Sequence, residues 1–153
     1  MIGEKIETTF LNISAADQIL AAFDFWKNTQ RSVLAIAGES GSGKTHMATA
    51  LQQALLDKGC QAHILHMDDF FKLPPASNHA KRLQDIGHVG PEEVDLARLN
   101  NFISAFKNGA TQQIVPLVDY YQNSSSEIKV ELNEVKVLII EGTYTFFLEN
   151  TDF

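Results

Sequence analysis

Gly38, Gly43, Lys44 and Thr45 stand in the pattern G-x-x-x-x-G-K-[ST] within GESGSGKTH, residues Gly38 to His46. Glycines let a backbone bend so that successive N–H groups point into one concavity, and these donors, with the positive end of a following helix, cradle phosphate oxygens. In that geometry Lys44 reaches the β- and γ-phosphates of a nucleoside triphosphate and the Thr45 hydroxyl ligates Mg²⁺. Glu39, Ser40, Gly41, Ser42 and His46 complete the candidate nucleotide-binding set. Phosphoryl transfer also needs acids. Glu141, after VLII, suits the group that holds Mg²⁺ or its water. Asp68 suits the acceptor of a proton from an attacking hydroxyl, with Asp69 a competitor for that role. The plainer alternatives are a solvated strand end for Glu141 and a turn cap for the aspartate pair.

The elements that must position these residues are legible from pattern. Val33–Ala37, VLAIA, lacks alternation, as expected of a central parallel strand covered on both faces. A helix follows from Lys44 to Lys58, with Gly59 as its left-handed stop. Ala62–Met67 reads as a second strand that ends in the aspartate pair, and VKVLII as a third that ends in Glu141 and Gly142. In an open parallel sheet the ligand crevice lies outside the carboxyl ends of the strands, which is where all three carry their chemistry.

Around this centre, Ser14–Asn28 reads as an amphipathic helix with Ser14 as N-cap, Asp17 closing a capping box, and Ile19, Phe23 and Trp26 on one face. Residues 1–31 form an N-terminal helical extension of a single domain. Residues 72–90 read as a long irregular loop on the acceptor side, because Pro74 and Pro75 oppose a regular helix and Gly87 and Gly90 punctuate the exit. Pro91 opens a helix carrying Leu96, Leu99, Phe102, Ile103 and Phe106 at helical spacing, stopped by Gly109. QQIVPLVDYY and EIKVEL, separated by NSSS, read as a hairpin or a pair of edge strands, with Pro116 favouring an edge.

Composition narrows the function classes. A net charge of −7 argues against general affinity for nucleic acid. Cys60 is the only cysteine, so no intramolecular disulfide forms and a reducing compartment fits. No apolar run approaches a membrane span, and the N-terminus lacks a signal pattern, so the expected location is cytoplasmic. His63 and His66 fall on opposite strand faces, unlike a metal pair.

Taken together, GESGSGKTH, HMDDFFKLPP, PLVDYY and VLIIEGTY resemble the phosphoribulokinase/uridine kinase family of P-loop kinases, over about Val33 to Leu148. The resemblance implies an α/β fold, a P-loop NTPase three-layer α/β/α architecture with a mainly parallel sheet, ATP and Mg²⁺ as nucleotide and metal, and a small-molecule hydroxyl acceptor. Asp68 falls on the family's catalytic aspartate and Asp69 on the serine after it, with Phe71 closing the motif. Asp119 and Tyr120 fall on its acceptor-holding Tyr-Asp motif, where Val118 replaces the tyrosine. The basic and histidine residues that follow this motif in uridine kinases are absent from YQNSSSEIK, so the resemblance does not name uridine. Family members continue past the Glu-Gly strand into an arginine-bearing lid, whereas this sequence stops at ENTDF. The expectation is therefore a sequence C-terminally truncated relative to the family, with an exposed sheet edge open to homodimerisation; the competing explanations are a lid supplied by a partner chain and compensation from Lys72, Lys81 and Arg82, of which Lys81 and Arg82 read more readily as a solvated loop surface. The function implied is an ATP-dependent kinase acting on a nucleoside- or sugar-like hydroxyl. The alternative is a nucleotide-binding module that holds Mg-ATP without turnover, and an ATPase motor fragment is a weaker third.

Overall fold

A computed structural model describes residues 8–27 and 30–153. The polypeptide runs α1 (Phe10–Ala22), β1 (Ser32–Ala37), α2 (Lys44–Asp57), β2 (Ala62–His66), α3 (Pro75–Gln84), α4 (Leu96–Lys107), β3 (Gln112–Asp119), β4 (Ser124–Glu131) and β5 (Val137–Gly142). Short 3₁₀ turns lie between several of these, among them Met67–Phe70, directly after β2. No helix among the described residues is long and apolar enough to cross a membrane.

β1, β5 and β2 form a parallel sheet in the order β1-β5-β2. The central strand is thus β5, not β1 as expected. All of its residues are buried, which explains the unbroken apolar run VLII. Alternate residues of β5 face opposite layers. Leu138 and Ile140 join Leu99, Phe102, Ile103 and Phe106 of α4 with Val115 and Val130 of the hairpin. Val137 and Ile139 join Leu51 and Leu55 of α2 with Leu20 of α1. This is the expected three-layer arrangement. Its register sets Ala37 beside Gly142 and His66 beside Glu141, so the carboxyl ends of the three strands meet at one rim.

The free side of β1 is not bare. The Ala35 N–H donates to the Phe153 carbonyl at 2.8 Å, the Asp152 N–H donates to the Val33 carbonyl at 2.9 Å, and the Phe153 ring packs 5.1 Å from Phe25. The edge on which the homodimer expectation relied is therefore occupied over Val33–Ala35.

Several expected boundaries move, each for a local reason. α1 starts at Phe10, because Thr9 and Asn12 form a reciprocal capping box a turn before Ser14 and Asp17. It ends at Ala22, where the Trp26 indole N–H donates to the Leu20 carbonyl at 3.2 Å. Asn28, its expected last residue, lies outside the described residues, as does the start of the N-terminal extension.

The segment 72–90 is not a loop. Pro74 is the N-cap and Pro75 the first residue of α3. A proline there forfeits only an N–H that the helix would leave unpaired. α4 begins at Leu96 with Asp95 as N-cap, while Pro91–Glu93 forms a separate 3₁₀ turn. β3 and β4 pair as an antiparallel hairpin. The serines belong to β4, and the turn before them ends at Asn123 in the left-handed region, φ 49°. Asn123 Oδ1 accepts the Ala76 N–H at 2.7 Å, tying the hairpin tip to the first turn of α3.

Gly142 is fixed by crowding. A Cβ on it would lie 2.4 Å from the Met67 Cβ. Gly142→Ala must push β5 from the Met67–Phe70 turn, and overpacking of this kind costs roughly 1–3 kcal/mol. Urea unfolding of the variant is expected to show a lower midpoint at unchanged slope; an unchanged midpoint would contradict this packing.

Candidate active site

The phosphate-binding loop leaves β1 at Ala37 and enters α2 at Lys44. Gly41 and Gly43 have φ of +76° and +87°, a region in which side chains are strained. Gly43 is the N-cap of α2 and has no side chain with which to bond the first-turn N–H groups. Those N–H groups thus remain available to an anion. The Lys44 ammonium donates to the Glu39 carbonyl at 2.9 Å and so lies folded across the loop. His46 is exposed beside it on the first turn of α2.

An acidic cluster faces this loop. Glu141, only 5% exposed, sits at the end of β5, where its Oε1 accepts the Thr45 hydroxyl at 3.2 Å and lies 2.7 Å from His66 Nδ1. Hydroxyl and carboxylate oxygens are the donors a hard Mg²⁺ ion takes, and Mg²⁺ keeps waters and phosphate oxygens for its other positions. This pair therefore fits the metal, although no group of three or more His, Cys, Asp or Glu residues able to hold a metal ion occurs among the described residues.

Asp68 and Asp69 have separate positions. Asp68 lines the cleft in front of the loop. Burial pushes its carboxyl above the usual range, the charges of Glu141 and Asp69 push the same way, and Lys44 and His66 oppose them. Asp69 is turned inward, 6% exposed, and its Oδ1 accepts the Val118 N–H at 3.0 Å. Asp69 thus joins the 3₁₀ turn to β3, and of the doublet it is Asp68 that faces the cleft.

The cleft holds about 240 Å³ and is lined by residues that include Ser40, Asp68, Phe71, Arg82, Val118 and Tyr120. Val118, on β3, and Tyr120, in the turn after it, both line the cleft, and Asp119 between them does not. Its Oδ1 accepts the N–H groups of Tyr121 and Gln122, at 2.9 and 3.0 Å, and caps the turn. Of the residues expected to hold the acceptor, the structure thus sets Tyr120 on the cleft and Asp119 at the cap of the neighbouring turn. Burial, followed by the charges of Asp68 and Asp69, pushes the Tyr120 phenol up to about 12. Its hydroxyl therefore stays a donor at working pH.

Arg82 comes from the last turn of α3, with its guanidinium 5.5 Å from the centre of the Phe71 ring. Behind it lies a residue that sequence reasoning missed. The Glu93 side chain, 0% exposed, accepts from Arg82 Nε at 2.5 Å and from Asn78 Nδ2 at 2.6 Å on one oxygen, and from the Gly90 N–H at 2.9 Å on the other. Burial acts to raise the Glu93 pKa, but the bonds from Arg82, Gly90 and Asn78 outweigh it, so the carboxyl is held below its ordinary value. In PEEVD the two glutamates look alike as first-turn acids. Only the structure separates them: Glu93 is buried, as is Val94 after it, whereas Glu92 is exposed.

The Phosphoribulokinase / Uridine kinase family model matches residues 33–152. The protein is 27% identical to the bifunctional alpha-galactosidase/sucrose kinase AgaSK of Mediterraneibacter gnavus, over 92% of this chain and 16% of that protein. It is 31% identical to the uridine kinase of Staphylococcus epidermidis, over 79% of this chain and 56% of that enzyme. Among solved structures it superposes on a possible uridine kinase from Bacillus stearothermophilus with a TM-score of 0.75 and 26% identity, over 93% of this chain and 77% of that one. The chain spans about half the length of the uridine kinase it matches and a smaller part of the bifunctional protein.

Proposed function

The chain belongs to the phosphoribulokinase/uridine kinase family, and from that premise we propose that it is an ATP-dependent kinase transferring the γ-phosphoryl group to a hydroxyl of a nucleoside- or sugar-like acceptor. One observation carries the reading. The cleft that opens on the phosphate-binding loop at Ser40 has a half-buried acid, Asp68, on its wall and room for a small polar molecule. Relatives named sucrose kinase and uridine kinase support an acceptor class that includes both sugars and nucleosides.

The loop N–H groups and the start of α2 bind the nucleotide phosphates, and Lys44 swings from the Glu39 carbonyl to the β- and γ-phosphates. Thr45 and Glu141 would hold Mg²⁺, which neutralises charge developing on the phosphate oxygens. Asp68 accepts the proton of the acceptor hydroxyl as that oxygen bonds to the γ-phosphorus. The bond from the γ-phosphorus to the β–γ bridging oxygen breaks, and ADP leaves with the electron pair. A carboxyl whose pKa lies above the ordinary range is the stronger base when ionised, which favours this role.

The test is ADP release from Mg-ATP with and without nucleosides and free sugars. A kinase is stimulated by one of these classes; a module that only binds Mg-ATP gives no acceptor-dependent ADP and removes the reading. Glu141→Gln leaves the Thr45 hydroxyl a neutral partner. It is expected to raise the Mg²⁺ concentration for half-maximal rate by roughly 10–100-fold, read from a Mg²⁺ titration of the rate. An unchanged midpoint would exclude Glu141 from the metal site.

A further inference from the structure

We infer that the acceptor is an uncharged, hydroxyl-rich molecule, not a phosphorylated one, and that Glu93 sets this preference by cancelling the charge of Arg82 on the cleft wall. The inference rests on the kinase reading above and deepens it. Among the described residues lining the cleft, Arg82 is the one lysine or arginine. A cation in that place invites the assumption that it binds a phosphate or carboxylate on the acceptor. The geometry argues the other way, because Glu93 is buried directly behind it and bonded to its Nε at 2.5 Å. Asn78 and the Gly90 N–H fix the remaining directions of the carboxylate, so the pair is locked in place by α3 on one side and the Pro91–Glu93 turn on the other. With Glu93 fully buried and Arg82 partly exposed, the two side chains carry no net charge as a pair.

The rest of the cleft agrees. Asp68 brings a negative charge to the wall, with Glu141 near enough to raise its pKa. A phosphorylated acceptor would thus meet a carboxylate and a cancelled guanidinium, in a partly desolvated space where like charges are poorly screened. Hydroxyl groups meet donors and acceptors that suit them. These are the guanidinium, which has N–H groups beyond the one given to Glu93, the Tyr120 hydroxyl and the Thr143 hydroxyl. The Phe71 ring offers an apolar surface to the C–H face of a sugar or to a base. The Lys44 ammonium is engaged by the phosphate-binding loop, and Lys81 is exposed on α3.

Matched pairs test this: D-fructose against D-fructose 6-phosphate, D-ribose against D-ribose 5-phosphate, and uridine against uridine 5′-monophosphate. Each is titrated by calorimetry into the protein saturated with Mg²⁺ and a non-hydrolysable ATP analogue, and the sugars and uridine are also assayed for ADP release. In the wild type, at least one unphosphorylated member is expected to bind tighter than its phosphorylated partner by roughly tenfold or more, given the cost of juxtaposed like charges. Glu93→Gln frees the Arg82 charge and is expected to narrow or reverse that ratio. A purely structural role for Glu93 would instead weaken both members together and overturn the assignment to Glu93. Arg82→Gln should weaken the unphosphorylated member without favouring the phosphorylated one. Tighter binding of the phosphorylated member by the wild type, or binding of no member, overturns the inference. Acceptor-dependent ADP release alongside a preference for the phosphorylated member would leave the kinase reading standing, whereas absence of acceptor-dependent ADP from every probe would overturn both.

Discussion

Asp68→Asn is expected to lower acceptor-dependent ADP formation by roughly 10²–10⁴-fold, the usual contribution of a positioned general base, while leaving Mg-ATP affinity within a few-fold of the wild type. The separation follows from position. Asp68 lines the acceptor cleft, whereas the nucleotide is assigned to the Gly38–Thr45 loop and the start of α2. The same substitution has a second expected effect that unfolding could not imitate. Burial, then the charges of Glu141 and Asp69, hold the Asp68 carboxyl above its ordinary value. Its ionised form is therefore disfavoured by folding. Below the unfolded pKa the group costs nothing, and the cost accrues as pH rises from there through the raised folded pKa. Asparagine carries no charge, so the variant should be at least as stable as the wild type at pH 7 and should gain less stability on mild acidification. A parallel loss of rate and of melting temperature would mean that Asp68 supports the fold, and would remove it as the base.

Lys44→Ala is the second large effect. In the structure the ammonium bridges the loop by donating to the Glu39 carbonyl at 2.9 Å, an interaction that holds it above the anion-binding N–H groups. The charge that develops on the phosphoryl group falls where that ammonium can reach, and removal of one such preorganised donor costs roughly 10²–10³-fold in kcat. Because the proposed mechanism also has the lysine contact phosphate before transfer, Mg-ATP affinity should fall too, unlike in Asp68→Asn. The two variants together resolve the two halves of the site. A Lys44→Ala enzyme with wild-type kcat would show that the loop does not address the transferred phosphoryl group.

The parts of this site legible in the sequence are those in which local chemistry and global fold coincide. The Gly38–Thr45 spacing, the apolar runs of β1 and β5 and the left-handed stop at Gly59 are each dictated by a few adjacent residues, and the structure has them where pattern puts them. The order of strands was not legible, because VLAIA and VLII are equally apolar. Only the pairing of β5 with both neighbours makes it central. α3 was hidden by its own first residues: prolines 74 and 75 break a helix interior but start a helix well, and sequence reasoning weighted the first property. The place of Asp119 was not legible for a related reason. A motif aligned residue by residue carries no information on where a side chain at a strand end turns, and here Val118 and Tyr120 line the cleft while Asp119 caps the turn. Glu93 could not be read at all without tertiary contacts, since its partners Arg82 and Asn78 lie on a helix that the sequence had not revealed.

These differences lie on the acceptor side; on the phosphate side Gly41 and Gly43 take the left-handed conformation and Gly43 caps α2. The alternative in which Arg82 stands in for a lid is not favoured by its setting, because its guanidinium is bound to Glu93 and lines the cleft. On the proposed mechanism, charge on the transferring phosphoryl group would be met mainly by Lys44 and by Mg²⁺ held by Thr45 and Glu141.

The most direct measurement follows the γ-phosphorus itself. ATP labelled in its γ-phosphoryl group is incubated with Mg²⁺, the protein and the sugar or nucleoside that best stimulates ADP release, and the products are separated. A kinase of this site moves label into an acceptor ester in step with ADP, with little in inorganic phosphate, and Asp68→Asn slows ester formation by the same roughly 10²–10⁴-fold. Label found only in inorganic phosphate would make the protein an ATPase, and nucleotide bound with no label moved would make it a binding module; either result contradicts phosphoryl transfer to an acceptor hydroxyl.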